Sequence, residues 1–261
     1  MYKQQNADKE KVLKADAVKS LVDRQRRQLP RIGTRKIYHL IKDDLQAQGL
    51  KFGRDKLFDL MRFYDLQIKP RRRYTKTTNS KHWMRKWPNI IKGNPVCYQD
   101  QVWVSDITYI KTEEGNCYLN MITDAYSRKI MGYAVEENME TESMIGALKM
   151  ALIQRKNPLA ETIHHSDRGL QYCSKEYVHA AAENNIKLSM TENGDPYENA
   201  LAERMNRTLK EEFGMDIIVK SKEQVKKLVE ESVFLYNNKR PHLALKMKTP
   251  NQVYYEKIPA T

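Results

Sequence analysis

Apolar and polar residues alternate with a period of two from Gln101 to Ile110, and this alternation predicts a β-strand. Asp106 shares one face of that strand with Val102 and Val104, where a charge is costly unless it has a partner. Similar alternation or short apolar runs predict four further strands: Asn116–Thr123, Lys129–Val135, Thr162–Ser166 and Ile186–Met190.

Apolar residues at helical spacing predict four helices between and after these strands: Glu142–Arg155, Lys175–Asn184, Asn199–Phe213 and Lys222–Asn238. Three consecutive strands followed by helix, strand, helix, strand and helix are the order of a ribonuclease-H-like α/β domain. The predicted fold class is therefore α/β, with a ribonuclease-H-like catalytic core in which helices flank a mixed five-stranded sheet.

The N-terminal third predicts a small basic helical region. Its helices are expected at 8–29, 35–46 and 53–66. Thr34 is positioned to cap the second helix, and a turn containing Gly49 joins it to the third, which suits a helix-turn-helix module. The predicted domains are a helix-turn-helix-like DNA-binding region, a basic linker, and the catalytic core with a C-terminal helical tail: 1–66, 67–99 and 100–261.

The net charge of +13 is confined to the N-terminal part of the chain. Residues 1–95 hold 25 Lys and Arg against 9 Asp and Glu, whereas residues 96–261 hold 21 against 24. A polyanion such as nucleic acid explains this asymmetry better than a merely solubilising surface. No apolar run approaches the length of a membrane span, and three scattered cysteines predict neither a disulfide framework nor a zinc knuckle.

Three carboxylates are candidates for a metal site. Asp106 lies on the first strand, Asp167 follows the strand at 162–166, and Glu203 lies one turn into the helix that starts near Asn199. Strand ends and the first turn of a helix can bring such residues together, and a divalent cation relieves their repulsion. Each acid also has a structural interpretation: Asp106 as a salt-bridged residue, Asp167 as a helix cap, and Glu203 as the ion-pair partner of Arg207.

Oxygen-only donors without cysteine favour Mg²⁺ or Mn²⁺ over zinc. Two such ions activate a nucleophilic oxygen and stabilise a leaving oxygen in phosphoryl transfer. The three acids are thus expected to hold two Mg²⁺ ions, which Mn²⁺ can replace.

Asp106 comes first, 35 residues separate Asp167 from Glu203, and Lys210 follows Glu203 by seven positions. This spacing resembles the signature of retroviral-integrase-like DDE recombinases. The neighbouring residues resemble the downstream-frame (OrfB) protein of bacterial insertion-sequence transposases, over roughly residues 30–255. Four segments carry this resemblance: 102–110, 165–172, 198–204 and 236–242.

The resemblance implies a transposase that cuts DNA and transfers a 3′-OH end through Asp106, Asp167 and Glu203. It implies as partners double-stranded DNA at the transposon ends and the target, a homo-oligomer on DNA, and an upstream-frame DNA-binding protein or fusion. The bacterial cytoplasm, near the nucleoid, is the expected location. Candidate DNA contacts are Lys210, Arg207, Arg35, Arg54, Arg71, Arg72 and Arg73.

Two other functions fit the same observations. A ribonuclease-H-type hydrolase would keep the fold and cut without joining. A DNA-binding regulator would use the three acids only structurally, although the unbroken triad argues against it.

Overall fold

The computed structural model describes residues 2–69, 85–192 and 196–256, and the chain divides into two compact units. One unit contains residues 1–72 with 241–247, and the other contains residues 73–240 with 248–261.

Three helices form the N-terminal unit: α1 (Tyr2–Gln28), α2 (Thr34–Ala47) and α3 (Arg54–Phe63). Ile37 and Ile41 of α2 are buried, as are Leu57 and Met61 of α3, because their helical spacing puts them on the packed faces. The turn after α2 uses Gly49 at a φ of +66°, a conformation that favours glycine. The predicted helical region is present.

The predicted helix boundaries need three corrections here. Thr34 is not a cap: it is the first helical residue and is buried, and Gly33 takes the N-cap position without a side-chain bond. The third helix ends at Phe63 rather than at 66, because Asp65 adopts a φ of +49° and leaves the helical conformation. The first helix begins at Tyr2, earlier than residue 8.

The larger unit is built on a five-stranded mixed sheet in the order β3-β2-β1-β4-β5. The first three strands are antiparallel neighbours, and β4 and β5 add in parallel beside β1. The strands are β1 (Val102–Thr112), β2 (Gly115–Asp124), β3 (Ile130–Glu136), β4 (Thr162–Ser166) and β5 (Ile186–Met190). The predicted ribonuclease-H-like arrangement is confirmed, and β1 lies at its centre.

Helices cover both faces of the sheet, as predicted, with boundaries within two residues of the expected ones. They are α4 (Thr141–Gln154), α5 (Lys175–Glu183), α6 (Ala200–Phe213) and α7 (Lys222–Asn238). Trp103 packs with residues of α4 and α5 in the larger core cluster. Val102 and Val104 point to the other face and pack with Ala202 of α6.

A short helix near the C-terminus, α8 (Pro250–Tyr255), was not predicted. It is too short to show a helical period, and its signal is a capping box between Thr249 and Gln252 with proline at the first turn. The hydroxyl of Tyr254 donates to the buried carboxylate of Asp100 at 2.8 Å, which holds α8 against the start of β1.

The contact between β3 and α4 depends on Gly132. A Cβ at this position would lie 2.0 Å from the carbonyl oxygen of Ala147 and 2.9 Å from the nitrogen of Ala151, both backbone atoms of α4. Because backbone cannot move aside as a side chain can, the sheet and helix approach this closely only with glycine.

We expect Gly132→Ala to destabilise the protein by about 2–3 kcal/mol through overpacking. Urea unfolding monitored by circular dichroism measures the difference. Gly146→Ala in α4 is the matched control: nothing lies within 4 Å of its Cβ, and helix propensity makes it neutral or stabilising. Equal effects of the two substitutions would contradict the close-approach argument.

Candidate active site

The parallel pairing of β1 with β4 brings two of the predicted acids together. Ser105 lies opposite Ser166, so Asp106 and Asp167 are the next residues on neighbouring strands. β4 ends at Ser166, and Asp167 turns the chain by accepting a hydrogen bond on Oδ1 from the Gly169 nitrogen at 3.1 Å.

Asp106 is held in a position that disfavours its charge. Burial, together with the negative charge of Asp167 and the weaker effect of Glu203, raises its pKa to about 7. Asn206 opposes the shift by donating Nδ2 to Asp106 Oδ2 at 2.8 Å. A carboxyl group with a pKa near neutral beside two other acids is typical of functional sites.

Helix α6 presents three of the site's residues along one side. Glu203, Asn206 and Lys210 are spaced by three and four positions, so they lie on one face of the helix. Asn206 is buried against Asp106, whereas the Glu203 side chain is exposed. Burial lowers the pKa of Lys210 to about 8, an effect that the charge of Asp106 opposes, and its Nζ lies 4.6 Å from the centre of the Tyr109 ring.

A buried polar triad supports the strand just before Asp106. Ser105 Oγ lies 2.7 Å from the hydroxyl of Tyr172, and both groups lie within hydrogen-bond distance of Asn120 Oδ1. Burial raises the pKa of Tyr172 well above its ordinary value, so the phenol stays protonated and donates. Buried networks of this kind fix the position of the backbone that carries them.

The segment that leads into α6 is tied to the sheet by two hydrogen bonds. Asn199 donates Nδ2 to the carbonyl of Ser105 at 2.9 Å. His165 Nε2 donates to the carbonyl of Glu198 at 3.1 Å, and its Nδ1 accepts from the Ser189 hydroxyl at 2.9 Å. Burial lowers the pKa of His165, which keeps the ring neutral as this pair of bonds requires. The start of α6 is thereby fixed relative to Asp106.

Comparisons with known proteins match both halves of the larger unit. Two integrase core domain models match residues 98–196 and 184–250. The 31 kDa protein of insertion element IS600 from Shigella sonnei is 36% identical over 219 residues, which are 82% of this chain and 80% of that one. The chain belongs to the insertion-sequence transposases with an integrase core. The expected enzyme class, a transposase, is confirmed.

Further relatives agree with this assignment. The transposase InsF of insertion sequence IS3A from Escherichia coli K12 is 33% identical over 173 residues, and the chain spans 60% of the length of that relative. The simian T-cell lymphotropic virus intasome, solved by cryo-electron microscopy with a PP2A regulatory subunit, matches with a TM-score of 0.55 at 15% identity. That match covers 88% of this chain and 77% of the viral one, and it supports the fold.

The described part of this transposase contains no group of three His, Cys, Asp or Glu side chains that converge closely enough to hold a metal. Asp106 and Asp167 are neighbours, while Glu203 extends from the exposed side of α6 and acts on Asp106 only as the weakest of its electrostatic influences. The donor set is nevertheless all carboxylate oxygen, and this chemistry fits Mg²⁺ or Mn²⁺.

The predicted DNA contacts of the transposase have different surroundings. Arg207 is exposed and its Nε lies 3.3 Å from Glu211, so it forms an ion pair away from Asp106. In the N-terminal unit, Arg35 is exposed and Arg54 pairs with Asp55 at 3.0 Å. Arg71, Arg72 and Arg73 lie outside the described residues. No helix in the described ranges is long and apolar enough to span a membrane.

Sequence reasoning missed the residues that support the acids. Asn206 and Asn199 act through contacts with β1 that the sequence order does not reveal. A usable signal existed for Asn206, because its spacing of three from Glu203 puts it on the same helix face. Tyr172 and His165 also support this region. Tyr172 bonds to the residue before Asp106, and His165 to the segment before α6.

We expect Asp106→Asn to stabilise the metal-free transposase at pH 8. The folded pKa of Asp106 is about 7 against 3.8 for the free residue, so the folded state binds the proton more tightly. Its contribution to the unfolding free energy therefore falls as pH rises from about 4 to about 7. The substitution should raise Tm by about 3–6 °C at pH 8 in EDTA and leave it unchanged at pH 4.

Differential scanning calorimetry at both pH values measures this effect. Glu142→Gln, which removes an exposed carboxylate from α4, is the control and should change Tm equally little at both pH values. If the Tm of Asp106→Asn changes with pH in the same way as the wild-type Tm, the interpretation that the folded protein disfavours the charge of Asp106 is contradicted.

Proposed function

We propose that this transposase cuts one DNA strand and joins the freed 3′-OH to a second phosphodiester, using Asp106, Asp167 and Glu203 to hold two Mg²⁺ ions. The observation that carries the proposal is the position of Asp106 within β1, beside Asp167 at the end of the neighbouring strand β4 and against the face of α6 that carries Asn206 and Glu203. The negative charges of Asp167 and, more weakly, Glu203 help to raise the pKa of Asp106, and a divalent cation relieves this electrostatic conflict.

When bound, the metal ions supply Lewis-acid activation of the attacking oxygen and charge stabilisation for the leaving oxygen. The carboxylates of the protein set the positions of these charges. Asn206 keeps the Asp106 carboxylate in a fixed orientation through its 2.8 Å hydrogen bond. Positioning of this kind accounts for most of the catalysis in phosphoryl transfer, where the protein itself does little covalent chemistry.

Lys210 is proposed to contact a DNA phosphate beside the acids. Its ammonium group lies against the face of Tyr109, which limits the directions in which the side chain can extend. Burial lowers its pKa to about 8, and a neighbouring phosphate would favour the charged form again. A bound phosphate would therefore raise the pKa of Lys210 and keep the group charged.

Double-stranded DNA is the proposed substrate at both the transposon ends and the target, and the family assignment supports this. The excess of positive charge in residues 1–95 supports a nonspecific contribution from the N-terminal part. A homo-oligomer on DNA and an upstream-frame DNA-binding half are proposed as further components of the active complex.

We expect 10 mM Mg²⁺ to raise the Tm of the wild-type protein, because a ligand that binds only the folded state stabilises it. The gain should be about 1–2 kcal/mol, and Asp106→Asn should abolish most of it. Glu142→Gln is the control that keeps the full gain. If wild type and Asp106→Asn respond equally to Mg²⁺, the carboxylates are not the metal site.

A joining assay tests the chemistry directly. Supercoiled plasmid and a short duplex with free 3′-OH ends are incubated with the protein and Mn²⁺, beside Glu203→Gln. We expect metal-dependent nicking and joined products from the wild type, and a loss of at least 100-fold in the variant, because the two ions lose a ligand. Gel electrophoresis with a labelled duplex measures both products.

The outcomes separate the candidate functions. Nicking without joining would support a ribonuclease-H-type hydrolase instead. Equal activity of wild type and Glu203→Gln would exclude the proposed role of Glu203. Activity that appears only after the upstream-frame protein is added would assign DNA-end recognition to that partner.

A further inference from the structure

A groove of about 420 Å³ opens on the sheet face that Val102 and Val104 share with Asp106. Val102 and Val104 of β1 form its floor, and Ala200 and Leu201 at the start of α6 form one wall. Val104 precedes Asp106 by two residues on one strand face, so the groove begins about 7 Å from Asp106. Its volume is at the small end of the range for small-molecule sites, about 300–1,000 Å³.

Arg128 also lines the groove, and its backbone is in a strained conformation. Its φ is +66°, a left-handed value that is uncommon for a residue with a side chain. Within the described residues its guanidinium forms no hydrogen bond or ion pair; the nearest carboxylate, Asp124, accepts from Ser127 and from the Asp100 nitrogen instead. The charge of Arg204 lies close enough to repel it. Two arginines near each other without a paired carboxylate favour an external anion.

Asn199 provides an unused polar atom in the wall of the groove. Its side chain is 4% exposed, and Nδ2 is occupied by the carbonyl of Ser105. The other side-chain atom, Oδ1, is buried and has no hydrogen-bond partner among the described residues. A buried acceptor of this kind is costly unless a ligand donates to it.

The remaining polar and aromatic residues make different parts of the groove suit different chemical groups. Tyr126 lines it with an aromatic ring, next to the apolar floor. Glu198 also lines the groove, and its carboxylate is 3.8 Å from the Lys92 ammonium and accepts from the Glu192 nitrogen. An anionic group is therefore favoured near Arg128 and disfavoured near Glu198.

We propose that the groove binds the base of one unpaired DNA nucleotide next to the cleaved phosphodiester, with the phosphate of that nucleotide on Arg128 and Arg204. This inference rests on the proposed function, and it names a substrate subsite. Apolar and aromatic walls suit the face of a base, which stacks on such surfaces once it leaves the duplex. The free Oδ1 of Asn199 suits a base amino group, which donates a hydrogen bond.

The test compares three fluorescein-labelled duplexes by anisotropy, with Ca²⁺ in place of Mg²⁺ so that no chemistry is required. One duplex is blunt, one carries a single unpaired adenine nucleotide at a 3′ end, and one carries the same overhang without its base. We expect the wild type to bind the adenine overhang about tenfold more tightly than the abasic overhang, a difference of about 1.4 kcal/mol.

Two variants separate the base from the phosphate. Ala200→Trp fills the groove from an exposed position at the start of α6 and should remove the preference for the base. Arg128→Gly removes the guanidinium at a position where the backbone already favours glycine, so it should fold at least as well as the wild type. It should weaken binding of both overhangs by a similar factor of about 5–10 relative to the blunt duplex.

Lys149→Ala removes one exposed positive charge from α4 and is the control. It should affect all three duplexes equally. A wild type that binds the adenine and abasic overhangs equally, or that binds none of the duplexes, overturns the proposal, as does a base preference that survives Ala200→Trp. Because binding is measured without turnover, failure here is distinguishable from failure of the joining assay, which tests the proposed function.

Discussion

The parallel ladder between β1 and β4 is the constraint on which the rest of the site depends. It fixes Ser105 opposite Ser166 and so sets Asp106 beside Asp167 with backbone hydrogen bonds rather than with side-chain contacts. A slip of one residue would turn one of these acids to the opposite face of the sheet. The core on both faces, with Trp103 on one and Val104 on the other, makes such a slip costly.

Electrostatic conflict at Asp106 is tolerated because its neighbours are fixed. The carboxylate loses hydration and lies near other acids, while hydrogen bonds from the Asn206 amide and the Ile107 backbone oppose these effects. Polar groups that are held in place before substrate arrives do not need to reorganise during the reaction. The site therefore combines a locally unfavourable charge with rigid surroundings. Functional sites commonly carry such a cost in stability.

Much of the architecture could be predicted from the sequence, since the strands of the core have strong period-two or apolar patterns. The role of Asn206 could not be predicted with the same ease, because its bond to Asp106 links positions that are far apart in the chain. The conformation of Arg128 could not be predicted from the sequence, since its left-handed φ arises from a turn geometry set by Asp124 and Ser127. Thr34 was predicted to be the N-cap because a threonine before a helical run normally takes that position. In the structure Thr34 is instead the first helical residue, and its side chain is buried.

The first turn of helix α6 carries both the groove wall at Ala200 and Leu201 and the carboxylate of Glu203, and a single helical turn does not bend easily between them. Any ligand that shifts this turn at Ala200 also shifts Glu203. By thermodynamic reciprocity, filling the carboxylate site and filling the groove then alter each other's affinity. A DNA end that fits the groove poorly would accordingly be discriminated in turnover more than in binding.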